Sequence, residues 1–236
     1  MKTYLAGALS LFLLIFVSCG GGPTSNSDGA EANAVGGNPV NSSGYSGVLM
    51  WKGDTSGRGL YASESQLNLQ NVNPQQFGKL AQRSVDGMIM AQPLYVAAVP
   101  IGGANHNIVI VATEHDSVYA FDADDPNAAP LWERHYAIDG ATPAPDNFGG
   151  RTTIGGEIGI TGTPVIDPAT GALYFVTTIQ RNGAVEQWLR SIDIKTGNDF
   201  GSGSAIIQAS VIGDGKGSDG GTIHFDSRNH NQRAGL

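Results

Sequence analysis

Pro93 and Pro164 each stand near the start of a short apolar run, AQPLYV (91–96) and GTPVID (162–167), and they are 71 residues apart. Asp122 and Asp193 each lie near the end of another, VYAFDAD (118–124) and LRSIDIK (189–195), at the same separation of 71. Between these landmarks IVIVAT (108–113) matches ALYFVT (172–177) in type. Outer landmarks that keep their spacing while the loops between them differ are the mark of an internal structural repeat. A chain built this way folds as a series of small units, each burying its faces against its neighbours. A third copy is expected to begin near 233, in RAGL, where Ala234 stands 70 residues after Pro164.

Each unit carries four strand signals and no helical period. In the first they fall at 92–96, 107–113, 117–122 and 130–136, and in the second at 163–167, 172–179, 185–194 and 205–212. The 34 glycines and 11 prolines are spread between these runs, as a chain with many turns requires. DPATG (167–171) and DIKTG (193–197) are turn sequences, since Asp and Thr bond to nearby backbone and Gly accepts positive φ. Tandem four-stranded antiparallel units predict an all-β fold, a partial β-propeller spanning 46–236 with blades at 91–136 and 163–212. Because propellers have about four to eight blades, the expected ring is completed by a longer protein or by another chain.

VATEHDSVYAFDADDPNAAPLW (111–132) resembles the blade motif of pyrroloquinoline-quinone-type repeats, and LRSIDIKTGNDF (189–200) resembles a weaker copy with Phe200 near the tryptophan position. WKGDTSGRGLYASESQLNLQNVNPQQFGKL (51–80) is similar to the lead-in of that superfamily. The resemblance implies that Trp132 packs between blades, which suits a large apolar side chain on a short strand. It also implies structural roles for Pro93, Asp122, Pro164 and Asp193. The superfamily's quinoprotein dehydrogenases bind pyrroloquinoline quinone with calcium and oxidise alcohols or sugars, often beside a vicinal disulfide. The single cysteine excludes that disulfide, and only Glu157, in GEIGITG (156–162), matches a calcium-ligand segment. Without that chemistry, the layout is similar to that of the outer-membrane assembly propeller lipoprotein, with ligands on the inter-blade loop face. A binding or scaffold module is therefore the leading expectation, with a dehydrogenase fragment as the alternative.

The N-terminus has its own logic. One early charge at Lys2, an apolar run over 9–17 and the ending Phe16-Val17-Ser18-Cys19 read as an export signal too short to span a membrane. The ending resembles a bacterial lipobox, which implies that 1–18 is removed and that Cys19 is acylated. Acyl chains contribute roughly 0.8 kcal/mol per buried methylene, so two or more give lasting attachment to a membrane. Gly20, where inner-membrane lipoproteins often carry Asp, implies the outer membrane or cell surface. Residues 19–45 lack apolar periodicity and read as a flexible tether.

The formal charge of −8 leaves no basic footprint for nucleic acid. No Gly-x-Ser-x-Gly, P-loop or His-Glu-x-x-His is present. Glu114, His115 and Asp116 fall between the second and third strands of the first unit, where solvated turn residues are expected. That turn shares a face with two long connections, 137–162 and 213–233, and long loops on a rigid scaffold tend to carry function. The candidate ligand face thus comprises Glu114, His115, Asp116, Arg151, Glu157, His224, Asp226, His230 and Arg233. The spacing of His224, Asp226 and His230 could serve a metal, but loop spacing does not bring ligands together, and no metal site is predicted.

Overall fold

The computed structural model describes residues 44–61, 64–147 and 155–236. It is all-β, and no helix occurs among the described residues. The first sheet runs in the order β1 (Gly47–Val48), β2 (Leu94–Ile101), β3 (Ala104–Ala112), β4 (Ser117–Asp122), β5 (Trp132–His135), with every neighbour antiparallel. The second runs β11 (Asp199–Ile206), β10 (Ala184–Asp193), β9 (Ala172–Arg181), β6 (Ala141–Pro145), β7 (Glu157–Ile158), and β8 (Val165–Ile166) also pairs with β9. A small third sheet joins β12 (Ser210–Ile212), β14 (Thr222–His224) and β13 (Ser218–Asp219).

Local chemistry sets the hairpins. Gly102 and Gly103 close β2 onto β3, and Asn182 and Gly183 close β9 onto β10; all four have positive φ, between 51° and 90°. Two-residue loops of this hand match the twist of antiparallel strands.

The repeat holds in the pairing itself. Ile108 pairs with Asp122 and Ala172 with Asp193; Tyr95 pairs with Val109 and Ile166 with Leu173. The two sheets therefore share one register. Strand alternation then assigns faces. Leu94, Val96, Ile108, Ile110, Ala112, Val118 and Ala120 of the first sheet form one core with Ile160, Ile166, Leu173, Phe175, Ile192 and Ile194, most of these from the second sheet. Val111, Tyr119 and Phe121 point the other way and pack with Val85 and Val109. Tyr136 meets Phe175 edge-on across the core at 5.5 Å between ring centroids.

Pro93 and Pro164 precede β2 and β8 by one residue. The amide of Gln92 donates to the hydroxyl of Thr163, 71 residues on, at 3.0 Å. Next to it the amide of Leu236 donates to the carbonyl of Thr163 at 3.2 Å. Asp122 and Asp193 both accept backbone amides of the turns that follow them, from Asp124 at 2.8 Å and Lys195 at 2.7 Å.

Three expectations are corrected. The fourth strand of the second unit is Asp199–Ile206, not 205–212, because pairing with β10 overrides a Gly- and Ser-rich sequence; Gly201 and Gly203 take positive φ there. The apolar Val211 and Ile212 that suggested a later strand are exposed and belong to the small sheet. The connections 137–162 and 213–233 are not simple loops either, since they supply β6 and β7, and β13 and β14. Tyr45, the last residue of the expected tether, bonds through its amide to the Pro168 carbonyl at 2.8 Å and packs on the core. Cys19 and the rest of 1–43 lie outside the described residues, as does Arg151.

Candidate functional site

The turn between β3 and β4 is tight: the Thr113 amide donates to the Ser117 carbonyl at 3.0 Å, and Asp116 takes φ 56°. Aspartate tolerates this left-handed conformation better than most residues. Two segments clamp the turn. On one side the Glu114 amide donates to the Met88 carbonyl at 2.8 Å; on the other the Ile160 amide donates to the Thr113 carbonyl at 3.1 Å. Gly159 has no room for a side chain, because a Cβ would strike the Glu114 carbonyl and stand 2.7 Å from the Asp116 nitrogen.

This clamping overturns the expectation of a solvated turn. Glu114 and Asp116 are both 0 % exposed. Glu114 Oε2 accepts the Gly159 amide at 2.8 Å and the Thr161 hydroxyl at 3.0 Å. Asp116 Oδ1 accepts the Thr178 amide of β9 at 3.2 Å, so a turn of the first sheet is fastened to a strand of the second. Glu114 Oε1 and Asp116 Oδ2 are buried without a hydrogen-bond partner.

Burial pushes the carboxyl of Asp116 well above its ordinary range and raises that of Glu114 as well, since taking a charge out of water disfavours the ionised form. Opposing this, the Thr178 amide and then the Arg190 charge favour the Asp116 carboxylate, and the Gly159 amide, Thr161 and the Arg233 charge favour that of Glu114. Arg190 donates through Nε to the Thr177 hydroxyl at 3.1 Å and lies 4.8 Å over the Tyr136 ring. Its own burial lowers its pKa.

His115 reaches outward from the same turn, with its side chain 44 % exposed. Its Nδ1 lies 3.0 Å from Glu157 Oε2 and 3.2 Å from Oε1. A second polar group adjoins it. Asp86 accepts the Thr113 hydroxyl at 3.0 Å and the Ser117 hydroxyl at 2.6 Å, and His135 Nδ1 lies 2.8 Å from Ser117 Oγ. The carboxylate can only accept, so with the serine proton directed at Asp86 the serine oxygen is left to accept from the imidazole. That is the reverse of a nucleophile and its base, in which the serine would donate to the imidazole.

Of the sequence candidates, the structure brings together Glu114, His115, Asp116 and Glu157, with the charge of Arg233 reaching Glu114. His224 lies on β14 and not in a loop. Asp226 caps its own turn by accepting the Arg228 amide at 2.9 Å, and His230 stacks on Phe225 with its Nδ1 donating to the Asp226 carbonyl at 2.9 Å. This segment is held to the β9–β10 hairpin by Gln187, which donates to the His230 carbonyl at 2.5 Å. Among the described residues no group of three or more His, Cys, Asp or Glu side chains is placed to hold a metal ion. Glu157, the one residue that resemblance linked to calcium, is engaged by His115. Among the described residues no further carboxylate joins Glu157 to assemble a calcium site.

Sequence reasoning missed Asp86, Ser117, His135, Thr161 and Arg190. Asp86 lies in a stretch without strand alternation, so its contact with the turn had no local signal. Arg190 and Ser117 sit in strand runs where polar residues ordinarily face solvent. The chain matches no protein-family model, no curated protein and no solved structure.

Proposed function

We propose that this chain is the repeat-bearing part of a β-propeller, attached to the bacterial cell envelope through an acylated Cys19, and that it works as a binding or scaffold module. The observation that carries the binding role is the contrast within one turn: Glu114 and Asp116 are locked between the two sheets, while His115 beside them stands half exposed against Glu157. A rigid base under an accessible polar edge is what a recognition surface needs, because little ordering entropy is then lost on binding. The propeller reading is supported by the shared register of the two sheets and by the packing of one face of the first on one face of the second. The anchor rests on the sequence ending at Cys19.

Two experiments test this. A photoreactive residue placed at position 115 in cells making the full chain is expected to give a discrete crosslinked species that is lost in Glu157→Ala. The same residue at position 212, which is 96 % exposed on the small sheet, should give none. Identical patterns from the two sites would end the binding reading. Incorporation of radiolabelled palmitate, abolished by Cys19→Ser, tests the anchor. Tight binding of pyrroloquinoline quinone in the presence of calcium, with dye reduction on adding alcohols or aldoses, would replace the scaffold reading by an oxidoreductase.

A further inference from the structure

Arg190 stands on the face of β10 that meets the first sheet, in one row with Trp188 and Ile192, as strand alternation requires. Its neighbours across the ladder are Phe175 on β9 and Ser204 on β11. Ile192 and Phe175 are fully buried in the core between the sheets. A half-buried charge beside them is costly unless a partner satisfies it.

The protein satisfies this guanidinium only in part. Nε donates to the Thr177 hydroxyl at 3.1 Å. The planar group packs against two rings, its central carbon 4.8 Å from the Tyr136 centroid and 5.0 Å from that of Trp188. Trp188 is itself fixed, since its indole N–H donates to Glu186 Oε2 at 2.9 Å. Ring faces stabilise a cation but accept none of the N–H groups along the edge of the fork. Among the described residues Nη1 and Nη2 of Arg190 have no hydrogen bond and no ion pair.

The surrounding charges do not replace that partner. Burial disfavours the charge of Arg190; Tyr136, Asp116 and Asp199 favour it from a distance, and Arg181 adds repulsion. Burial also holds Asp116 toward its neutral form, and Asp199 is engaged by Arg134 at 3.4 Å. Beside the fork the Tyr136 hydroxyl is buried without a hydrogen-bond partner, in the field of Arg134 and Arg190. The notch is thus rich in donors and short of acceptors.

We propose that the free edge of the Arg190 fork, held between the two sheets by Thr177, Tyr136 and Trp188, is a binding site for a small oxyanion, a carboxylate or a phosphate. Both groups present two oxygens at the spacing of Nη1 and Nη2, so the contact is bidentate and strengthened by charge. A fork already fixed on three sides loses little freedom on binding. The site uses neither His115 nor Glu157 and goes beyond the binding edge they form.

The test uses the full chain in non-ionic detergent at pH 7, with sodium phosphate or sodium benzoate replacing sodium chloride at constant ionic strength. It reads the arginine Nε–H resonances by NMR, that of Arg190 being the one lost in Arg190→Lys, together with the melting temperature. A saturable shift of the Arg190 resonance is expected, with a melting temperature that rises as the anion is added. A response to phosphate, to benzoate or to both supports the site and tells which oxyanion it takes. Arg190→Lys keeps a charge but loses the fork, and is expected to weaken the stabilisation by anion at least about tenfold in concentration. Arg58→Lys is the control, since Arg58 is exposed and bonds only within its own loop, to Ser56 and Asp54; it should respond as the wild type does. Circular dichroism confirms folding, and Trp188→Leu, which removes one of the two rings and should also weaken binding, replaces Arg190→Lys should the latter fail to fold. A purely structural Arg190 would show no anion dependence. No saturable shift with either anion, equal shifts in every arginine resonance, or an unchanged anion response in the variants overturns the proposal.

Discussion

Trp132 of the first sheet donates its indole N–H to the backbone carbonyl of Ile194 in the second at 2.8 Å, and its ring lies against Gly197 so closely that a Cβ there would stand 2.8 Å from Cε3. One side chain thus contributes apolar area to the joint between sheets and satisfies a carbonyl that the joint removes from water. The two roles separate by substitution. Trp132→Phe keeps most of the area but leaves the carbonyl unpaired, at a cost of about 1–3 kcal/mol. Trp132→Ala also opens a cavity, at a cost of about 3–5 kcal/mol. Urea unfolding with an unchanged m-value reads both; no loss in Trp132→Phe would show that the hydrogen bond contributes nothing, and equal losses in the two variants that the area of the ring contributes nothing beyond it.

Gly159 holds the Glu114–Asp116 turn from the other side. Its φ is not in the left-handed region, so a substitution there is limited by space alone. Gly159→Ala is expected to push the 157–161 segment off the turn and to cost about 1–3 kcal/mol, as overpacking does. Gly78→Ala is the control, since nothing lies within 4 Å of a Cβ there and its φ is also ordinary. Similar melting temperatures for the two variants would contradict the close approach.

Thr163 receives the amide of Gln92 on its side chain and the amide of Leu236 on its backbone. Thr163→Val keeps the shape and the backbone acceptor and deprives Gln92 of its partner. A loss of about 0.5–1.5 kcal/mol is expected, restored in Thr163→Ser, which returns the hydroxyl. Unchanged stability in Thr163→Val with a loss in Thr163→Ser would mean that the packing of the methyl and not the hydrogen bond holds this contact.

Much of the fold was legible because it is written in local alternation and in equal spacing. β3, β4 and β9 coincide closely with their apolar runs, and the 71-residue separation reappears as a direct bond between Gln92 and Thr163. β11 was misplaced because its strength comes from its partner β10, while its own sequence, DFGSGSAI, has the composition of a turn. β6 and β7 were read as loop because neither is long enough to show a period. The site was legible only in outline. That Glu114, His115 and Asp116 form a turn follows from their position between two strands, but burial of two carboxyls is decided by segments 27 to 62 residues distant in sequence, through Asp86, Thr161 and Thr178. No local pattern carries that information.

The burial of Asp116 gives the molecule a pH dependence whose sign is fixed by the direction of its shift. In the unfolded chain the group ionises near its ordinary value of 3.8, while in the folded protein burial holds the proton to higher pH. Between those two values the folded state binds more protons than the unfolded one, so stability falls as pH rises, by at most about 1.4 kcal/mol per unit for one group. Glu114 adds a dependence of the same sign starting from 4.5. Asp122 acts oppositely: hydrogen bonding to His106 lowers its pKa, so its contribution is present above the ordinary carboxylate value and is lost as acid protonates it in the folded state. Asp116→Asn cannot ionise, yet its Oδ1 can still accept the Thr178 amide. Melting temperatures measured from pH 4 to pH 8 are therefore expected to fall less in the variant than in the wild type, with the variant gaining relative stability toward neutral pH. A constant difference across that range would mean that the carboxyl titrates no differently in the folded and unfolded chains, and that its unpartnered oxygen costs the fold nothing through charge.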